Sequence, residues 1–204
     1  MTKIDHTILD GQLYTMPQLE ELLKFRYLAK NTFESAADKE ELRQKGLEKL
    51  KDNAISEQSL ELGEQFRDKM EAACMPSLSI RRIDEKVGYG LFAEEDLEAR
   101  AYIGEYTGLV RKNDRLYFEP LNDYCYEYPI PDSIGRNYVI DGTSGNLTRF
   151  LNHSDQPNLK PVHVFYDGFY HLIFLAIHAI KKGTQLKFHY GQNYWALRGK
   201  PADL

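Results

Sequence analysis

The chain is poor in cysteine. Only Cys74 and Cys125 carry a thiol among 204 residues, and they stand far apart. That argues against a disulfide framework and a cysteine-rich zinc site. Long apolar runs are missing too. The longest, residues 172–177, is far too short to cross a bilayer. Positive charge is in deficit, with 26 Lys and Arg against 31 Asp and Glu, a formal net charge of −5. This argues against nucleic-acid binding through bulk charge and suits a basic protein partner. The opening Met-Thr-Lys-Ile-Asp-His has no secretory pattern. The expectation is an intracellular, reducing (cytoplasmic) protein that contacts neither membrane nor nucleic acid directly.

Proline and β-branched residues are scarce up to residue 75, where 11 Lys/Arg and 15 Asp/Glu accumulate. The composition changes near Pro76, which divides the chain into 1–75 and 76–204. The first part reads as helices. Thr15-Met-Pro17-Gln18 has the form of a capping box with an early proline. Leu19, Leu22, Leu23, Arg26 and Tyr27 continue at helical spacing. A second helix is expected over 37–51, weakened at Gly46. A third begins near Ser56, with Leu62, Phe66, Met70 and Ala73 along one face. These stripes read as packing surface, either on the chain's own remainder or between two copies of it.

The second part reads as short strands separated by Gly, Pro, Asn and Asp. Strands are expected at 78–83, 90–93, 101–106, 124–128, 138–141, 162–166, 171–176 and 185–190. Many of the 14 Tyr and 10 Phe serve these strands and the core. The histidines show no compact ligand spacing, so no metal site is expected.

Four short motifs stand in a fixed order. Gly88-Tyr89-Gly90 lets backbone approach a ligand closely, although alone it reads as a tight hairpin. Glu105-Tyr106-Thr107-Gly108 is a strand ending in a turn. The stretch Gly145-Asn146 through Arg149-Phe150-Leu151-Asn152-His153-Ser154 is turn-rich and apolar-flanked. Last comes Leu186-Lys187-Phe188-His189-Tyr190-Gly191, in which Phe188 and Tyr190 share a face.

This order resembles the SET domain of protein-lysine methyltransferases over about residues 77–196. A layout of helices before a compact SET domain is similar to bacterial SET proteins of the chlamydial type. The resemblance implies an α+β fold: an N-terminal helical region, then a mostly-β SET domain with knot-like C-terminal threading. It implies S-adenosyl-L-methionine as cofactor and transfer of methyl to a lysine side chain of a protein, such as a histone or histone-like basic protein. A non-catalytic SET-fold interaction module is the alternative.

Carried onto this sequence, the resemblance puts Gly88, Tyr89, Gly90, Tyr138, Arg149, Asn152, His153 and Trp195 at the cofactor. Tyr190 matches the active-site tyrosine, Tyr124 the second channel tyrosine, and Phe188 a channel position that varies between Phe and Tyr. Three positions depart from the common pattern: Leu109 stands for Glu, Asp155 for Cys and His189 for Asp. No Cys-rich segment follows Trp195, so a zinc-bound closing element is not expected. The N-terminal helices or a second subunit, in a homodimer, are expected to close the channel instead.

Overall fold

The computed structural model describes residues 2–3, 5–113, 122–131, 135, 137–196 and 198. The chain opens with β1 (Thr2–Lys3) and a hairpin of β2 (His6–Leu9) and β3 (Gln12–Thr15). Asp10 and Gly11 form the two-residue turn with φ of 48° and 85°, the positive pair that matches strand twist. Helix α1 (Met16–Leu23) follows at once. The Thr15 hydroxyl accepts from the Gln18 N–H, and the Gln18 side chain accepts from the Thr15 N–H, completing the capping box.

Lys24 turns left-handed, with φ of 50°, and ends α1 at Leu23. Arg26 and Tyr27, expected on the helix, therefore lie beyond it. The Tyr27 N–H donates to Glu20 Oε1 at 2.7 Å. Next come β4 (Thr32–Phe33), α2 (Ala36–Lys51), α3 (Glu57–Glu71) and β5 (Cys74–Met75). Ser35 and Ser56 cap the two helices, each accepting from the backbone N–H three residues on.

Strands then dominate: β6 (Leu78–Asp84), β7 (Gly88–Ala93), β8 (Tyr102–Glu105), β9 (Leu109–Lys112), β10 (Cys125–Pro131) and β11 (Asn137–Asp141). A 3₁₀ turn at Leu147–Phe150 leads to β12 (Asn152–His153), β13 (Leu159–Tyr166), β14 (Phe169–Ala176), β15 (Lys187–Phe188) and the short α4 (Gln192–Ala196). Three small sheets have the strand orders β3-β2-β6-β7, β10-β11-β9-β4 and β13-β14-β8, and two pairs, β1-β5 and β12-β15, join distant segments. The α+β class is as expected. No helix among the described residues is long and apolar enough to cross a membrane.

The composition change at Pro76 does not separate two folding units. Strand β2 pairs in parallel with β6, and β4 pairs in parallel with β9. The stripe Leu62, Phe66 and Met70 of α3 packs on Tyr102, Val164, Ile173 and Leu175 of the chain's own sheet. Two helical glycines make this approach close. A Cβ on Gly46 would stand 2.1 Å from the Gly168 carbonyl oxygen, and one on Gly63 would stand 2.1 Å from that of Phe165. Gly46 is a contact point with the β13–β14 hairpin rather than a weak spot in α2.

Candidate active site

The site is assembled by pairing two segments that are far apart in sequence. Asn152 and His153 of β12 run parallel to Lys187 and Phe188 of β15. The Ser154 N–H donates to the Phe188 carbonyl at 3.1 Å. The Asn158 side chain donates to the Gln185 carbonyl at 2.7 Å and accepts from the Lys187 N–H at 2.8 Å. The loop 151–158 is thus fixed along the segment 185–190.

What holds β12 in place lies beneath it. The Asn146 side chain accepts from the Thr148 N–H, capping the 3₁₀ turn, and donates to the Glu105 carbonyl at 2.8 Å. The Thr107 hydroxyl accepts from the Asn146 N–H at 3.0 Å. Gly145 sits so close to the Thr107 carbonyl that a Cβ would come within 2.4 Å. The Glu105–Gly108 motif is therefore the footing of the Gly145–Ser154 motif.

Tyr190 stands at the centre of an aromatic cluster. Its ring lies 4.8 Å from Phe188, 4.6 Å from Tyr194 and 6.2 Å from Trp195, the last nearly parallel. Its N–H donates to His153 Nδ1 at 3.1 Å, and its hydroxyl donates to the Leu151 carbonyl at 2.8 Å. Burial, with further contributions from Tyr194 and Tyr124, pushes the hydroxyl well above the ordinary tyrosine pKa. It is a neutral donor at physiological pH, not a phenolate base.

Arg149 is held by rings. Its guanidinium carbon lies 4.1 Å from the Tyr124 ring centre, 4.9 Å from Phe150 and 5.0 Å from Phe25. Its Nε donates to the Gly142 carbonyl at 3.0 Å. Burial lowers its pKa from the ordinary value, yet a guanidinium stays charged at neutral pH. Among the described residues no carboxylate forms an ion pair with it. Tyr124 also meets Tyr106, whose hydroxyl donates to the Tyr124 carbonyl at 2.6 Å.

The glycine motif reaches the same place through Asn152, whose side chain donates to the Tyr89 carbonyl at 3.0 Å. Gly88 and Gly90 lie on β7, paired with β6 as a hairpin. A Cβ on Gly90 would meet the ends of the Gln185 and Asn152 side chains at 2.6 and 3.1 Å, whereas one on Gly88 would meet nothing within 4 Å. Gly88 thus borders open space.

The SET-domain family profile matches residues 88–191. The chain belongs to the SET-domain family. It is 31% identical over 121 residues to the mouse (Mus musculus) histone-lysine N-methyltransferase EHMT1, covering 57% of this chain and 9% of that protein. The chain thus spans about a tenth of that relative's length. A solved structure of ctPRC2, autoinhibited and bound to S-adenosylmethionine, is 28% identical with a TM-score of 0.51, over 63% of this chain and 17% of that one. The structure of ATXR5 with histone H3.1 has a TM-score of 0.62 at 18% identity, over 86% of this chain and 85% of that one. At that identity it speaks for the fold.

Within this SET domain, Asn152, His153, Phe188, Tyr190 and Trp195 form one connected group, with Tyr124 and Arg149 beside it and Tyr89 and Gly90 tied on through Asn152. Tyr138 does not join them, which corrects the expectation for that residue. It is fully buried, and its hydroxyl is committed to Asp38 and Glu41 of α2 at 3.1 and 3.0 Å, with the Lys112 ammonium over its ring. Two residues that touch the group, Tyr194 and Phe25, were not picked out from sequence. Tyr194 was marked only by standing next to Trp195. Phe25 had no local signal, because it comes from outside the matched segment.

His153, Asp155 and His189 bring potential metal ligands within 4.8 Å of one another. Their hydrogen bonds argue against a metal. His153 Nδ1 accepts from the Tyr190 N–H, and His189 Nδ1 accepts from the Gly191 N–H at 3.0 Å. A neutral imidazole that accepts at Nδ1 carries its proton at Nε2. Both Nε2 atoms then face Asp155 as N–H groups, at 3.3 and 3.6 Å, and neither offers a lone pair.

Proposed function

We propose that this chain transfers a methyl group from S-adenosylmethionine to the side-chain amine of a lysine in a protein. The observation that carries the reading is Tyr190: a neutral hydroxyl, fixed on the Leu151 carbonyl, inside a cluster of rings joined to the Asn152-His153 segment. Names of the relatives support it, since EHMT1 is a histone-lysine N-methyltransferase and the ctPRC2 structure holds S-adenosylmethionine. A histone or histone-like basic protein is the substrate class we favour, and the net charge of −5 suits it.

The residues present fit this cofactor. Gly88 borders open space, Arg149 brings a positive charge with no carboxylate among the described residues, and the buried Trp195 Nε1 has no hydrogen-bond partner among them. Gly88, Tyr89, Gly90 and Asn152 would hold one part of it, and Arg149, His153 and Trp195 another. When bound it supplies a methyl on a sulfonium sulfur for in-line displacement, so no covalent enzyme intermediate is needed.

The chain's own task is to deliver a neutral amine in line. Free lysine has a pKa of about 10.4, so deprotonation at pH 7.4 costs about 4 kcal/mol. An aromatic channel disfavours the ammonium by desolvation. Tyr124, Phe188 and Tyr190 supply such walls, and Tyr190 orients rather than abstracts. Alignment in a near-attack geometry contributes about 7–11 kcal/mol in favourable systems.

The test is S-adenosylmethionine binding by calorimetry, then label transfer to a histone mixture by wild type and Tyr190→Phe. Binding with transfer by wild type and at least a hundredfold loss in the variant is expected. Absence of binding overturns the reading. Binding without transfer to any basic protein favours the interaction-module alternative. Homodimerisation is a separate proposal. Because α3 spends its stripe on its own sheet, pairing through the helices would use the exposed Leu47 and Leu50 of α2, and light scattering of Leu47→Glu tests it.

A further inference from the structure

The N-terminal segment brings one ring, that of Phe25, to the Arg149 guanidinium. After Lys24 ends α1 with its left-handed turn, Phe25 drops into the core at 7% exposure. Its ring meets Phe150 edge-on at 5.5 Å and lies 5.0 Å from the Arg149 guanidinium carbon. The backbone just after it is stitched to the loop that anchors Arg149. The Gly145 N–H donates to the Arg26 carbonyl at 3.0 Å, and the Leu28 N–H donates to the Gly145 carbonyl at 3.1 Å. Three residues before Gly145, the Gly142 carbonyl accepts from Arg149 Nε.

A guanidinium has five N–H donors and one flat face on each side. With no carboxylate among the described residues to orient it, this one is directed by the Gly142 carbonyl at Nε and by the rings around it. Tyr124, the channel residue, is the nearest at 4.1 Å. Displacing Arg149 therefore removes a contact of the Tyr124 ring as well.

We propose that Phe25 is a positioning residue for the transfer reaction: with Phe150 it confines the Arg149 guanidinium against Tyr124, so that a residue outside the SET segment sets the shape of the pocket. This rests on the methyl-transfer reading above. The role requires an aromatic face toward the cation, not merely apolar volume, and that separates it from ordinary core packing.

The experiment compares Phe25→Leu, which keeps bulk but loses the π face, with Phe25→Tyr, which keeps the face. Both are made in full-length protein and again in an Arg149→Met background. Calorimetric affinity for S-adenosylmethionine is expected to fall about tenfold in Phe25→Leu and to stay within about twofold in Phe25→Tyr. In the Arg149→Met background the Leu substitution is expected to cost nothing further. An equal loss in both backgrounds, or wild-type affinity in Phe25→Leu, overturns the proposal. The Arg149 Nε–H resonance gives a reading that needs no cofactor. It is expected to move and exchange faster with water in Phe25→Leu only, and an unmoved resonance also overturns it. Wild type that fails to bind S-adenosylmethionine overturns the functional reading, and the positioning role with it, while the resonance still reports whether the stack exists.

Discussion

The Tyr190 N–H donates to His153 Nδ1 across 37 positions of sequence. This bond makes two motifs into one site. His153 is 6% exposed, and its ring also meets His189, Tyr190 and Trp195 at 4.9, 5.4 and 5.1 Å. The histidine is therefore at once an acceptor and a packing post.

His153→Phe keeps a ring at the post and removes the acceptor. The expected loss is about 1–3 kcal/mol of stability, the cost of leaving a partly buried N–H without its partner. His153→Ala removes ring and acceptor together and is expected to cost about 3–5 kcal/mol. Denaturant unfolding of the two variants beside wild type measures both. Equal stability of wild type and His153→Phe would show that the bond contributes nothing.

Gly63→Ala reverses the usual rule for helices. In an open helix interior the change stabilises by about 0.5–1 kcal/mol. Here the added Cβ would sit 2.1 Å from the Phe165 carbonyl oxygen, a backbone atom that cannot rotate away. The helix must move off the β13–β14 hairpin, and overpacking of this kind costs about 1–3 kcal/mol. A thermal melt decides the sign: the melting temperature of the variant is expected to drop by several degrees.

The local signals in the chain were the readable ones. The capping box at Thr15-Gln18 marked the start of α1, and Ser56 marked that of α3, because both caps use side chains next to the backbone they satisfy. The order of the four motifs singled out Asn152, His153, Phe188 and Tyr190, which the fold brings together. Tyr138 was misplaced because its partners, Asp38 and Glu41, lie about 100 positions away, and nothing near Tyr138 encodes them. The end of α1 was missed because a single left-handed lysine stops a helix whose apolar spacing continues past it. The β2–β3 hairpin was open to reading, since Asp10-Gly11 is a standard two-residue turn pair, but the charge-rich composition of residues 1–75 masked it.

Stability should depend on pH through His171. Its Nδ1 lies 2.8 Å from Glu105 Oε1, which also accepts from the Asn31 side chain. Burial, the largest single influence, lowers the histidine pKa, but Glu105, the Tyr166 backbone and Asp167 together outweigh it and the net shift is upward. A raised folded-state pKa means the contribution is complete below the unfolded value of about 6.5 and is lost as pH climbs through the folded value. Wild type is thus expected to lose melting temperature above about pH 6.5 relative to His171→Gln, in which this titration is gone. Parallel melting curves of the two proteins across that range would remove the ion pair from the account.

Product number should follow from Phe188. Its ring is buried, 4.9 Å from Phe174 and 4.8 Å from Tyr190, and it carries no hydroxyl. A tyrosine at this position can bind a water in the space that an added methyl group needs, whereas phenylalanine leaves that space dry. If the methyl-transfer reading holds, wild type should carry lysine beyond the monomethyl state, and Phe188→Tyr should stop there with the first methylation rate changed by less than about tenfold. Mass spectrometry of a basic protein substrate after exhaustive reaction counts the methyl groups. Only monomethyl-lysine from wild type would mean that another part of the site, not the missing hydroxyl, limits the product.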